Sequence, residues 1–106
     1  MQLYTLVHKT PVRARSAGER GLWFSKANRV VRRDTATIKV GGKSVGQVIV
    51  STVFLGCDYG IGTEPLLFES LIIGGPYDGD IDRCATWEGA EKMHEKMMER
   101  VLRVAR

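Results

Sequence analysis

The residues most able to do chemistry stand close together. Two apolar runs, residues 45–55 and 65–73, flank a loop containing Gly56, Asp58, Tyr59, Gly60, Gly62, Thr63 and Glu64. Glycines let a ligand approach backbone amides, and the carboxylates and the phenol supply polar contacts. Loops on a rigid scaffold are the usual place for such contacts. Glu69 is polar among apolar neighbours in the second run. The candidate ligand- or partner-binding set is therefore Asp58, Tyr59, Gly60, Gly62, Glu64 and Glu69. The glycines do not form a phosphate loop. No Lys-Ser/Thr follows them, and they lead into a strand rather than a helix N-terminus.

Other groups are weaker candidates. Asp78, Asp80 and Asp82 have the first-third-fifth spacing of a calcium loop, but Arg83 and Gly89 stand where such a loop needs Gly and a bidentate Glu. Cys57 and Cys84 cannot form a zinc site by themselves, and read as small core-filling thiols. No metal and no cofactor is expected. His94 falls on the apolar stripe of a predicted helix and reads as a hydrogen-bonded, partly buried side chain. Its pairing with Glu69 or Asp58 across the sheet would have acid–base capacity. No serine sits in a nucleophile-elbow pattern and no nucleophile–base pair can be named, so no catalytic residue is assigned and an enzyme is not expected.

Charge is divided along the chain. Residues 1–43 hold ten Lys/Arg against Glu19 and Asp34, whereas residues 44–90 hold seven Asp/Glu against Arg83. That asymmetry can steer an anionic partner to one face, or pair the two halves with each other. Arg29, Arg32 and Arg33 with Trp23 are the candidate nucleic-acid-binding residues, since single-strand binders combine cations with aromatic platforms. No helix-turn-helix or zinc-finger pattern accompanies them.

The elements that must position these groups follow from periodicity. The 106 residues fit one domain, 1–106. No apolar run approaches the roughly 20 residues of a membrane span, and the first ten residues lack the pattern of a signal peptide, so a cytoplasmic protein is expected. Residues 3–7 form a short strand, broken at Lys9-Thr10-Pro11. A weak helix is expected within residues 12–27. Residues 29–40 alternate as a half-exposed strand, Gly41-Gly42 makes a hairpin turn, and residues 45–55 return antiparallel. Both faces of that return strand are apolar near its middle, so either the helices or another subunit are expected to cover each side. Residues 65–73 form the next strand, followed by an acidic loop, YDGDID. Thr86 caps a final helix whose stripe is Trp87, Ala90, His94, Met97, Val101 and Val104, widened by Met98, Leu102 and Ala105. The expected fold is α+β: an antiparallel sheet of three to four strands packed by a C-terminal helix, with a less regular basic N-terminal segment. One helix covers one side of the sheet, so a homodimer is expected.

Several of these segments resemble a family of small uncharacterised bacteriophage and prophage proteins. The matching residues are Val50-Ser51-Thr52-Val53-Phe54-Leu55-Gly56, Asp58, Pro65-Leu66-Leu67-Phe68-Glu69, Gly74-Gly75, Arg83, Thr86-Trp87-Glu88, Ala90 and His94. The likeness covers about residues 29–98. Where the family has a Leu-Asp-His step, this chain has Cys57-Asp58-Tyr59, which removes an acid–base or metal-binding group from the loop. The resemblance implies phage origin and a small α+β fold. With the chain's size, it implies a small non-enzymatic accessory protein that binds a host component and counters a host defence system, in the host cytoplasm. The alternatives are a protein that binds a small ligand or nucleotide signal through loop 56–64, and a nucleic-acid binder using the basic N-terminal third. Expected partners are thus a host protein or a small-molecule ligand, with nucleic acid as the alternative and no membrane.

Overall fold

The computed structural model describes residues 2–58, 62 and 64–105. In chain order the elements are β1 (Tyr4–Val7), β2 (Thr10–Arg13), α1 (Ala17–Lys26), β3 (Val30–Val40), β4 (Lys43–Phe54), β5 (Phe68–Ile73), β6 (Ile81–Cys84) and α2 (Trp87–Ala105). Strands β3-β4-β5-β6 form an antiparallel meander, and β1-β2 forms a separate hairpin. The class is α+β, with the C-terminal helix laid on the larger sheet.

Local chemistry accounts for the elements. Gly41 and Gly42 take φ of 59° and 80° between β3 and β4, the positive angles a tight hairpin turn demands. Helix α1 starts at Ser16, whose hydroxyl accepts the Glu19 N–H at 3.1 Å. Helix α2 starts at Thr86, whose Oγ1 accepts the Gly89 N–H at 3.0 Å. A Cβ at Gly89 would lie 3.0 Å from that oxygen and 3.4 Å from Cys84 Sγ, so the missing capping-box Glu is replaced by a close turn.

Four expectations are corrected. The N-terminal segment is regular: Lys9-Thr10-Pro11 does not end the strand structure but leads into β2, because Pro11 lies in a two-stranded ribbon with an open edge. The turn is closed by His8 and Lys9, both at positive φ. The acidic loop ends sooner than its charge suggests, since β6 begins at Ile81 and pairs with β5. Strand β5 begins at Phe68 rather than at residue 65, although Leu55 still donates to the Leu67 carbonyl at 2.7 Å. Leu102 does not widen the packed stripe: it is exposed, and Met93 is the buried residue instead.

Among the described residues, the helices and the hairpin cover one face of the larger sheet. There, α2 packs Met97 and Val101 on Ala36, Val48, Val50 and Ile72. A second cluster of Phe54, Leu67, Phe68, Ala90 and Met93 receives Trp23 and Phe24 of α1, Tyr4 and Leu6 of β1, and Val31, Cys84 and Trp87. Both helices and the β1-β2 hairpin therefore lie on the same face. Within the chain α1 does not cross to the other side of β4 but joins α2 on the same one. No described helix is long and apolar enough to cross a membrane.

Candidate functional site

A chain of polar side chains separates the two apolar clusters. Thr52 on β4 and Ser70 on β5 are cross-strand partners, with their hydroxyls 2.5 Å apart. Thr52 Oγ1 is also 2.7 Å from His94 Nδ1, and His94 Nε2 is 2.8 Å from Asp34 Oδ2 on β3. Thr52, Ser70 and His94 are all 0% exposed. A carboxylate only accepts, so Nε2 carries a proton. With a neutral ring, Nδ1 accepts from Thr52, and Thr52 accepts from Ser70. Arg32 then closes the chain at the surface, 3.3 Å from Asp34 and 3.9 Å from Glu95 of α2.

Hydroxyl, imidazole and carboxylate in series resemble a hydrolase triad in composition only. The ring is reversed: in the serine hydrolase arrangement the hydroxyl meets Nε2 and the carboxylate meets Nδ1. The two hydroxyls are also sealed between sheet and helix, where no substrate carbonyl can reach. What the chain can do is fix α2 on the sheet. A shift of the helix by one turn would set His94 against an apolar layer and leave buried hydroxyls unbonded, at about 1–3 kcal/mol each. Among the described residues, every buried side-chain nitrogen or oxygen has a partner.

His94 was expected to pair with Glu69 or Asp58, and neither meets it. Glu69 points to the opposite face of the sheet, because alternate residues of β5 point opposite ways and Ser70 takes the covered face. Its carboxylate holds Arg83 at 3.0 Å. Asp58 accepts the Leu66 N–H at 3.4 Å, while its own N–H meets the Gln2 carbonyl at 3.3 Å, so it ties the loop to the N-terminal hairpin. Gly62 and Glu64 are exposed. Tyr59 and Gly60 lie outside the described residues. Glu69 thus stands on the strand face opposite His94, paired with Arg83.

Gly56 has a different role from the one expected. It takes φ of 74°, and a Cβ there would lie 2.3 Å from the Phe24 ring. Arg20 donates to the carbonyls of Leu55 and Gly56, each at 3.1 Å. The Phe24 ring carries two guanidinium groups, with Arg20 Cζ 3.8 Å and Arg29 Cζ 4.6 Å from its centroid. The glycine lets α1 dock against the end of β4.

The basic candidates are dispersed by the same alternation. Arg29 lies over Phe24, and Trp23 packs edge-on against Phe54 at 5.6 Å. Arg32 turns toward α2, whereas Arg33, its neighbour in the strand, turns to the other face. They do not make one phosphate-binding stripe. Asp78 and Asp80 are also engaged locally, with the Gly74 N–H at 2.6 Å and with Arg100, and among the described residues no group of three metal-ligating side chains occurs. Burial pushes the Cys84 thiol above its ordinary value; the Thr86 backbone partly offsets this, and the carboxylates of Asp82 and Glu64 add to the rise. A thiol so held is a poor nucleophile at neutral pH.

The second face of the large sheet carries the remaining candidate surface. Register sets its rows as Val30–Val53–Glu69–Arg83, Arg33–Ser51–Leu71–Ile81, and Thr35–Ile49–Ile73. Val30, Ile73 and Ile81 are 42%, 40% and 53% exposed. The alternation of each strand gives this face, but not whether another element lies over it.

Compared with known proteins, the chain matches no family model, no curated protein and no solved structure.

Proposed function

We propose that this chain is a non-enzymatic accessory protein that acts by binding another protein, and that the second face of its large sheet is the association surface. The observation that carries this reading is that Val30, Ile49, Val53, Leu71, Ile73 and Ile81 share a face to which both helices and the hairpin turn their backs. Contiguous apolar surface of that kind marks interaction sites. On the resemblance to phage proteins, the eventual target is a component of a host defence system in the host cytoplasm. The small-ligand and nucleic-acid readings are less well supported. Glu69 is held in an ion pair with Arg83, and Trp23 and Arg32 are engaged within the fold.

The test is a photo-crosslinking residue at Ser51, in the middle row of the face, compared with one at the exposed Glu99 of α2. Each variant is irradiated as pure protein and in host extract. Protein adducts from position 51 but not from position 99 are the expected result. Equal yields from the two positions, or none from position 51 in either setting, overturn the proposal.

A further inference from the structure

We infer that the outer edge of β3, with the flank of α2 beside it, is a docking groove for an extended acidic strand of a partner protein. This rests on the reading of the chain as a protein binder, and adds the sheet edge as a contact distinct from the open face. Backbone geometry is the first argument. Strand β3 ends the order β3-β4-β5-β6, so no described strand pairs with its outer side. Leu55, just past β4, donates to the Leu67 carbonyl, and antiparallel strands alternate between hydrogen-bonded and open pairs. Odd-numbered residues of β4 therefore bond to β5, and even-numbered ones to β3. Val50 and Val48 bond to Asp34 and Ala36, which turns the N–H and C=O of Arg33, Thr35 and Thr37 to the outer edge. All three residues are exposed. Such an edge is a template for strand addition.

The helix is the second argument, because it supplies a wall. One flank of α2 lies toward β6, where Arg100 meets Asp80. The other lies toward β3, where His94 meets Asp34 and Glu95 is 3.9 Å from Arg32. Met98 and Leu102 follow Glu95 by three and seven positions, so they share its flank. Met98 packs against the cluster that contains Ala36, but Leu102 is 46% exposed. A strand added to β3 lays every second side chain beside Met98 and Leu102. Apolar side chains at those positions cover both.

Charge is the third argument. The remaining side chains of an added strand face the row Arg33, Thr35, Thr37 and Lys39. That row is unbroken along β3, because the extra residue at the Ile38/Lys39 irregularity is Val45 of β4. Arg33 and Lys39 are exposed and have no ion partner among the described residues. No Asp or Glu occurs between Asp34 and Asp58. Cations on an edge discourage pairing with a second copy of the same edge, and favour a strand that sets carboxylates opposite them. The segment that fits is acidic at both ends of the stretch facing Arg33 to Lys39 and β-branched between.

The probe is the peptide Glu-Val-Thr-Val-Thr-Val-Glu, blocked at both ends, which reads the same in either direction. Its counterpart carries Lys in place of both Glu. In calorimetric titrations of the full chain at low salt, the acidic peptide binds with a dissociation constant of about 100 µM or tighter. The Lys peptide binds about tenfold more weakly or less. Arg33→Glu combined with Lys39→Glu reverses that preference. Thr35→Pro removes one outward N–H where an edge strand tolerates proline, and abolishes binding. Leu102→Asp weakens it by about fivefold. Amide hydrogen exchange reads the bonds directly. The Arg33, Thr35 and Thr37 amides exchange fast in the free chain and slow down with the acidic peptide, while Asp34 and Ala36 are protected throughout. No binding of the acidic peptide up to about 1 mM overturns the inference. Equal binding of the two peptides, or binding that leaves those three amides unprotected, also overturns it. Should Thr35→Pro fail to fold, the charge reversal decides, since it alters exposed side chains only. The Ser51 photo-adduct separates the edge from the open face. Adducts from position 51 without peptide binding overturn the edge and leave the face standing, and peptide binding without such adducts does the reverse.

Discussion

The two faces of the large sheet are built from the same strands, yet they follow different rules. On the covered face, β4 presents Val48, Val50, Thr52 and Phe54, all buried. On the open face the same strand presents Ile49, Ser51 and Val53, each half-buried. Composition hardly separates the two sets, because each is mostly apolar with one hydroxyl residue. The difference is what lies across from them. Thr52 is opposite His94 and makes two hydrogen bonds, whereas Ser51, on the other face, stands between its strand neighbours Arg33 and Leu71. A buried hydroxyl therefore marks a designed contact only where the opposing layer is present, and apolar alternation on both sides does not mean burial on both sides.

The largest expected effect would break this comparison outright. Val50→Asp places a carboxylate at a 0% exposed position between its cross-strand neighbours Asp34 and Ile72, and should unfold the protein by costing more than about 3 kcal/mol. Val53→Asp, three residues on but on the open face, should remain folded and lose about 1 kcal/mol, mainly by repulsion from its cross-strand neighbour Glu69. Thermal melts of the pair check this. Equal losses would mean that the second face is covered after all.

The polar layer comes next. Thr52→Val should cost about 2 kcal/mol, since it leaves His94 Nδ1 and the Ser70 hydroxyl buried without a partner. Thr52→Ser keeps the hydroxyl and should lose less than half as much. If urea unfolding shows the two variants alike, the lost methyl and not the hydrogen bonds holds α2 in register.

Gly56→Ala should cost about 1–3 kcal/mol, by forcing a side chain into positive φ and into the Phe24 ring. The loss should fall on the α1 end of the covered face, so Trp23 emission should shift to the red while helical circular dichroism from α2 persists. An unshifted spectrum would show that α1 is not seated on Gly56.

The smallest effect is a gain. His8 and Lys9 close the β1-β2 turn with φ of 50° and 68°, which side-chain-bearing residues adopt at a cost. Replacing them with Asn and Gly should stabilise the protein by about 1 kcal/mol, measured as a raised melting temperature. Because this hairpin packs by Tyr4 and Leu6 on the covered face, the gain should leave association through the open face unchanged.

Much of the fold was legible in the residues themselves. Alternation marked β3 and β4, Gly41-Gly42 marked their turn, and three-and-four spacing marked α2. The hairpin at Lys9-Thr10-Pro11 was not, because Pro and a turn without glycine both argue against a strand pair. Strand β6 was hidden by acidic neighbours, since Asp82 and Arg83 lie on an edge strand where charge is tolerated. Of the candidate site, Glu69 was visible as a polar residue in an apolar run, but its partner Arg83 was not.

The sequence by itself determined which residues share a side of each strand and helix, because backbone geometry fixes those periods locally. It therefore determined the α+β class, the apolar stripe around His94 and the apolar character of both faces of β4. The tertiary structure decided which side the helices take and what each polar group meets. His94 finds Asp34 sixty positions away and Thr52 forty-two positions away, and α1 joins α2 on one face. Those outcomes depend on burial and hydrogen-bond satisfaction summed over distant segments. Local periodicity contains no information about that sum, so the covered face and the open face could be told apart only once the chain was folded.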